Sequence, residues 1–325
     1  MLLAGDIGGT KTLLGTFAPD ASRPVLLEVR SYPSQSFGSL IEILDRFEAD
    51  TAQPLSPSAA AFGVAGPVLG SRAHLTNIGW NIDAEAIARR LSTPHVGLLN
   101  DLEAMATGVT VLTDAELEPL QTGVAGEGGN AVVIAAGTGL GQAYLHRVGN
   151  RLQPVASEGG HADFAARTDR ELELVRMLRE MYGRAEVEQV LSGPGLVNLH
   201  RFTHRGTGCP VVDDLATDDA PAQITRGALS GRCQFCVEAL RMFVDAYGAE
   251  AGNLALRGVA SAGVFIGGGI APKILSTLRD GHFMRAFLAK SPMDTLLERM
   301  PVNVILNPDT ALIGAAVRAR EIMGS

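Results

Sequence analysis

The sequence predicts an α/β protein built as two domains. Stretches with strand patterning alternate along the chain with stretches of helical spacing, the signature of a layered α/β fold. A pattern of strand, glycine turn and strand at the N-terminus returns near residue 131, an internal echo that points to a duplicated architecture. The length, 325 residues, corresponds to roughly two domains at about 150 residues each.

The elements follow in order. Leu2–Gly5 is an apolar strand, Asp6-Ile7-Gly8-Gly9-Thr10 a turn, and Lys11–Phe17 a second strand. Pro19, Ser22 and Pro24 mark another turn before a strand over Val25–Tyr32. Ser39–Phe47 is predicted helical, because Leu40, Ile43, Leu44 and Phe47 share one face. Ala59–Val64 is a buried strand closed by Ala65-Gly66-Pro67. Asp83–Leu91 is a helix, His95–Leu99 a strand ending in Asn100-Asp101, and Leu102–Val109 a helix. Asp114–Gly129 is polar and glycine-rich and reads as a connection between lobes. Ala131–Ala136, the turn Gly137–Gly141, and Gln142–Val148 then repeat the opening. Helices are expected over Arg170–Tyr182, over Glu186–Leu191, from about Leu196, and from Gln223 to about Arg257 with a break. Gly258–Ile266 and Val302–Leu306 are strands, and the last helix starts near Thr310.

Composition narrows the function. Hydrophobic residues are 46% and charged residues 19%, enough apolar material to offset ordering entropy, so a disordered chain is excluded. A net charge of −8 argues against nucleic acid, whose phosphates need a basic footprint. No apolar run reaches the roughly 20 residues of a membrane span, and no leader segment is evident at the start, so a cytoplasmic protein is expected. Three cysteines form no disulfide framework.

The two glycine turns carry the first chemistry. Without a Cβ, a glycine turn brings backbone N–H groups close to a phosphate. Gly8, Gly9 and Thr10 form one such turn, and Gly137, Thr138, Gly139 and Gly141 the other. Asp6, just ahead of the first, can hold magnesium through water. Neither turn matches the P-loop, and neither opens a helix as a dinucleotide fingerprint does. A third glycine run, Gly267-Gly268-Gly269, follows a third strand.

Two polar clusters complete the set. Asn100-Asp101 stands at a strand's carboxyl end, where ligands collect in α/β sheets. Asp101 there is either a general base for a substrate hydroxyl or a cap on the following helix, and the local sequence favours the cap. Glu158-Gly159-Gly160-His161 pairs an acceptor and a donor around glycines that leave room for a ligand, which suits a polyol; a loop-stabilising pair and a metal site are the other readings. Glu188 reads as a solvated helix residue. Cys233-x-x-Cys236, on a helical stretch, reads as packed thiols.

Together these motifs resemble the bacterial glucokinase family, within the larger superfamily of sugar kinases and actin. The resemblance covers nearly the whole chain. It rests on Gly5-Asp6-Ile7-Gly8-Gly9-Thr10, Leu99-Asn100-Asp101, Gly137-Thr138-Gly139-Leu140-Gly141, Glu158-Gly159-Gly160-His161, Leu191-Ser192-Gly193-Pro194-Gly195-Leu196-Val197-Asn198 and Gly267-Gly268-Gly269-Ile270, in that order. It implies a two-lobed ribonuclease H-like (actin-like ATPase) fold, with a mixed sheet in each lobe and a cleft between them. The smaller lobe would comprise residues 1–111 and 302–325, and the larger lobe residues 112–301. It further implies an ATP-dependent glucokinase that uses Mg2+ and phosphorylates the 6-hydroxyl of glucose. Asp101 would be the general base. Asn77, Asn100, Glu158, His161 and Glu188 would bind the sugar together with Asp101. Asp6 would act near magnesium, and Gly8, Gly9, Thr10, Lys11, Gly137, Thr138 and Gly139 would meet the phosphates. Gly267 and Gly268 would approach the adenosine. A homodimer is also implied.

Two positions depart from the family pattern: Lys11 stands where Asn is usual, and Ser157 where Gly is usual. They keep two alternatives in view, a kinase for another hexose or amino sugar, and a non-catalytic sugar sensor. The cysteine-rich zinc motif of the related repressor-and-kinase (ROK) group is missing from the sequence, so zinc is not expected.

Overall fold

The computed structural model describes residues 1–51, 54–75, 78–126 and 128–324. The chain divides into two units. One comprises Met1–Asp114, Gln153–Ala156 and Asn307–Ser325, and the other Ala115–Leu152 and Ser157–Leu306.

The first unit opens with β1 (Leu2–Ile7), β2 (Lys11–Ala18), β3 (Val25–Pro33), α1 (Leu40–Thr51) and β4 (Ala59–Val64). It continues with β5 (Val68–Leu69), β6 (Arg72–Leu75), β7 (Trp80–Asp83), α2 (Ala84–Leu91), β8 (Val96–Asn100) and α3 (Asp101–Val109). Five strands form a mixed sheet in the order β3-β2-β1-β4-β8. The hairpin β1–β2 is antiparallel, while β4 runs parallel to both β1 and β8. A strand covered on both faces needs apolar residues throughout; β4, Ala-Ala-Ala-Phe-Gly-Val, is buried at every position. The face of α1 formed by Leu40, Ile43, Leu44 and Phe47 is buried, as its spacing predicts. On the other side of the sheet Leu2, Ala4, Ala59 and Ala61 pack with Ala311, Leu312, Ala315 and Ala319 of the C-terminal helix. Small residues let that helix lie close to α3: a Cβ on Gly314 would fall 1.8 Å from the Ala104 carbonyl oxygen.

The second unit contributes β9 (Leu117–Gln121), β10 (Ala131–Ala136), β11 (Leu140–Val148) and β12 (Arg151–Ser157), then α4 (Asp169–Tyr182), α5 (Gly193–His204), α6 (Ala220–Leu229) and α7 (Gln234–Gly258). After β13 (Gly263–Gly267) come the short α8 (Leu275–Leu278), α9 (His282–Leu288) and α10 (Asp294–Leu297), then β14 (Val302–Ile305). The C-terminal helix, α11 (Thr310–Met323), belongs to the first unit. The six-stranded sheet runs β12-β11-β10-β13-β14-β9. Its hairpin β10–β11 is antiparallel and β13 is parallel to β10, so the sequence echo is a structural one: each sheet is a glycine hairpin followed by parallel strands.

Three readings change. Val302–Leu306 was expected in the smaller domain, but β14 pairs with β13 and β9, and the division falls between Leu306 and Asn307. Asp114–Gly129 is not only a connection, because β9 within it pairs with β14. Glu186–Leu191 is not a helix: Glu186 bridges Asp163 in extended conformation, the amides of Val187 and Glu188 donate to the carbonyls of Ala162 (3.0 Å) and Gly160 (2.9 Å), and the residues that follow form turns. Among the described residues no helix is long and apolar enough to cross a membrane.

Candidate active site

In the first unit the turn between β1 and β2 is held by Gly8 N–H donating to the Lys11 carbonyl at 3.0 Å. Ser34 braces it from beneath. The buried Ser34 hydroxyl donates to the Gly8 carbonyl at 2.7 Å and meets the Thr12 hydroxyl at 2.9 Å, while its amide donates to the Thr10 carbonyl. Thr10 and Lys11 are left exposed at the tip. Ser34 was missed in the sequence, where nothing marks it as a partner of a turn over twenty residues away.

Asn100 ends β8 and caps α3. Its side-chain oxygen accepts the Leu102 amide at 3.0 Å, and its nitrogen donates to the Gly66 carbonyl at 3.3 Å. The cap is therefore Asn100, and Asp101 is the first helical residue, its carboxylate also 2.9 Å from the Leu102 amide. A carboxylate at a helix N-terminus is favoured by the dipole. Asp6, at the end of β1, has its pKa raised to about 6. Burial is the main cause, followed by the Asp101 carboxylate; Lys11 opposes the rise and Asp309 adds to it. Asp309, just ahead of α11, was not singled out as a site residue, although the strand end Asn307-Pro308-Asp309 marks it.

In the second unit Gly137 N–H donates to the Gly139 carbonyl at 2.8 Å, closing the turn between β10 and β11. Thr138 is exposed. Glu188 lies on this turn: its carboxylate accepts the Leu140 amide at 2.7 Å, and a Cβ on Gly139 would meet it at 2.6 Å. Gly193, at the start of α5, donates to the Gly137 carbonyl at 2.8 Å. Glu188 is thus half-buried and tied to the second glycine turn rather than a solvated helix residue.

The Glu158–His161 segment is a tight turn packed on β11. A Cβ on Gly160 would come within 2.1 Å of the Leu140 carbonyl, and one on Gly159 within 2.3 Å of the Gln142 side-chain oxygen. The two glycines therefore make room for β11 itself. Glu158 and His161 are exposed. His161 Nδ1 lies 3.5 Å from the Glu186 carboxylate, and donor atoms of His161, Glu186 and Glu188 lie within 4.8 Å of one another. His161 and Glu188 are thus brought together, with Glu186 as an additional acceptor that sequence reasoning missed. Gly267 ends β13, and Gly268 follows with φ +83°. A Cβ there would lie 2.2 Å from the Ala136 carbonyl, so glycine is required on both counts. The buried Tyr247 hydroxyl bonds the Ala136 amide and lies 3.2 Å from the Ile134 and Gly267 carbonyls, fastening β10 to β13 beneath both glycine runs. Asn77 lies outside the described residues.

A mixed sheet carrying a glycine hairpin in each unit, with carboxylates at strand ends in one of them, is the equipment of the actin-like phosphotransferases. Comparison with known proteins agrees. A family model described as Glucokinase matches residues 3–322. A glucokinase of Trichormus variabilis is 38% identical over 340 residues, covering 99% of each chain. The crystal structure of a glucokinase from an Antarctic psychrotroph superposes with a TM-score of 0.86 at 32% identity, over 98% of each chain. A ROK family glucokinase from Streptomyces griseus, solved with glucose and AMPPNP, shares the fold with a TM-score of 0.66 at 23% identity, over 98% of this chain and 99% of that one. The chain belongs to the glucokinase family, and it is an enzyme of the glucose-phosphorylating kind.

Proposed function

We propose that the protein transfers the γ-phosphoryl group of ATP to the 6-hydroxyl of glucose, with Asp101 as general base. The observation that carries the assignment is geometric: the parallel registers of β1, β4 and β8 bring Asp6 and Asn100-Asp101 to the same carboxyl end of the first sheet, beside the first glycine turn. In the step proposed, the sugar oxygen bonds to the γ-phosphorus, the bond from that phosphorus to the ADP oxygen breaks, and the hydroxyl proton passes to the Asp101 carboxylate.

The other roles follow from the local geometry. Gly8 and Gly137 spend their amides closing the two turns, which leaves the backbone of Gly9, Thr10, Thr138 and Gly139 and the Lys11 side chain to meet the phosphates, while Gly267 and Gly268 pass close to the adenosine. Asn100 has used its oxygen and one amide hydrogen on the backbone, which leaves its second hydrogen for a sugar hydroxyl. Glu158, His161 and Glu188, together with Asn77, bind the remaining hydroxyls. The Asp101 and Asp309 carboxylates both act on Asp6, with Lys11 opposing them, and these hard oxygen donors suit Mg2+, held by Asp6 through water. When bound, Mg2+ neutralises phosphate charge. A cytoplasmic location is consistent with three free thiols. A homodimer is consistent with the edge strand β3, where Val25, Leu26 and Leu27 are exposed.

The test is formation of glucose 6-phosphate by the purified protein from glucose, ATP and Mg2+. Turnover that needs all three and prefers glucose over other hexoses is expected. Turnover only with another sugar, only with polyphosphate, or with none of them would overturn the assignment.

A further inference from the structure

A cluster in the second unit, made of residues that have no part in the candidate active site, brings together all three cysteines and two histidines. His200 and His204 lie one turn apart on the buried face of α5, with rings stacked at 3.7 Å. Cys209 follows in the loop after α5. Cys233 stands at the N-cap of α7 and Cys236 in its first turn. Donor atoms of His200, His204, Cys209 and Cys236 all lie within 4.8 Å of one another. Cys209 Sγ is 3.7 Å from Cys236 Sγ and 3.9 Å from Cys233 Sγ, and His204 Nε2 is 3.3 Å from Cys233 Sγ.

These spacings are the edges of a coordination tetrahedron. With metal–sulfur bonds of about 2.3 Å and metal–nitrogen bonds of about 2.0 Å, sulfur–sulfur edges are about 3.8 Å and sulfur–nitrogen edges about 3.5 Å. The tautomer of His204 is right for a ligand. Its Nδ1 lies 2.9 Å from the His200 carbonyl, which can only accept, so Nδ1 carries the proton and Nε2 presents its lone pair to the thiols. Metal-binding histidines are commonly oriented by such a bond from the other ring nitrogen. A second observation points to a ligand. His200 is only 4% exposed, and neither of its ring nitrogens has a hydrogen-bond partner, a costly arrangement for a side chain with nothing to bind.

We propose that this cluster is a structural zinc site. His204, Cys209 and Cys236 are its fixed ligands, and the fourth position is filled by Cys233 or His200. Soft thiolates with imidazole in tetrahedral array select Zn2+ over hard cations such as Mg2+. Each ligating thiol gives up its proton on binding. The ion ties the C-terminal end of α5 and the loop after it to the N-terminal end of α7, across the segment that contains α6. The opposite end of α5 bonds the second glycine turn through Gly193, so the site steadies the helix on which that turn leans. The proposal departs from the expectation of packed thiols at Cys233-x-x-Cys236 and of no zinc, because Cys209 and the two histidines join the pair only through the tertiary fold.

The full-length protein, purified without chelator and with thiols kept reduced, should hold about one zinc per chain by elemental mass spectrometry. Replacing zinc by cobalt should give the visible bands of a tetrahedral thiolate site, and zinc should shield the three cysteines from alkylation. Cys209→Ser should weaken zinc binding at least about tenfold, and the wild-type cobalt spectrum gives a readout even if that variant folds poorly. Negligible zinc after exposure to the metal, together with no tetrahedral cobalt spectrum, would overturn the proposal. So would a disulfide from Cys209 to Cys233 or Cys236 in the native protein under those reducing conditions.

Discussion

Asp6 offers a test in which the sign depends on pH. Its pKa is lifted from 3.8 to about 6 by burial and by Asp101 and Asp309, against Lys11. Holding the charged form in the fold therefore costs about 3 kcal/mol relative to the unfolded chain. A carboxyl whose folded pKa lies above its unfolded value carries no penalty below pH 3.8. The penalty grows as pH rises toward 6 and is complete above about pH 7. Asp6→Asn removes it. The variant should therefore match the wild type near pH 4 and exceed it by up to about 3 kcal/mol near pH 8. The assay is urea unfolding of the ligand-free protein followed by tryptophan fluorescence. The single tryptophan, Trp80, is buried in the first unit in the same apolar cluster as Leu3 and Ile7, so the signal reports the unit that holds Asp6. Mg2+ should stabilise the wild type and leave the variant unchanged. A stability difference that is flat with pH, or a variant less stable than the wild type at pH 8, would refute the reasoning.

Two further substitutions probe the braces beneath the turns. Ser34→Ala leaves the half-buried Gly8 carbonyl without its hydroxyl donor; a loss of about 1–3 kcal/mol is expected, with KM for ATP rising and KM for glucose nearly unchanged, and a rise confined to glucose would contradict the role. Glu188→Ala removes the carboxylate that accepts the Leu140 amide; about 1.5–3 kcal/mol should be lost, and Glu188→Gln, which keeps an acceptor, should recover at least half, so equal losses in urea unfolding would show that this bond is not what Glu188 supplies.

What the sequence made legible was local. The hairpins at Gly8–Gly9 and Gly137–Gly139 announced themselves because glycine turns between apolar strands have few other uses, and both stand where expected. The buried face of α1 was legible because four apolar residues recur at helical spacing. What failed was set by partners distant in the chain. The apolar positions of Glu186–Leu191 suit a helix, yet Glu186 bridges Asp163, and the amides of Val187 and Glu188 tie the segment to Ala162 and Gly160. Gly159 and Gly160 are small because β11 lies against them, which no local pattern records. The strands β5 to β7, β9 and β12 are short or largely exposed, so alternation was too weak to mark them. Asp309 shows an intermediate case: the strand-end position was visible, but its influence on Asp6 required the fold.

The most direct test of the account is Asp101→Asn, assayed twice on the same preparation. Glucose binding, measured by calorimetry, should stay within about threefold of wild type, since the substitution keeps size and hydrogen-bonding capacity. Turnover with ATP and Mg2+ should fall by about 10²–10⁴-fold, the usual contribution of a positioned general base. Binding retained with turnover within fivefold of wild type would mean that Asp101 is not the base and that the proton leaves by another route.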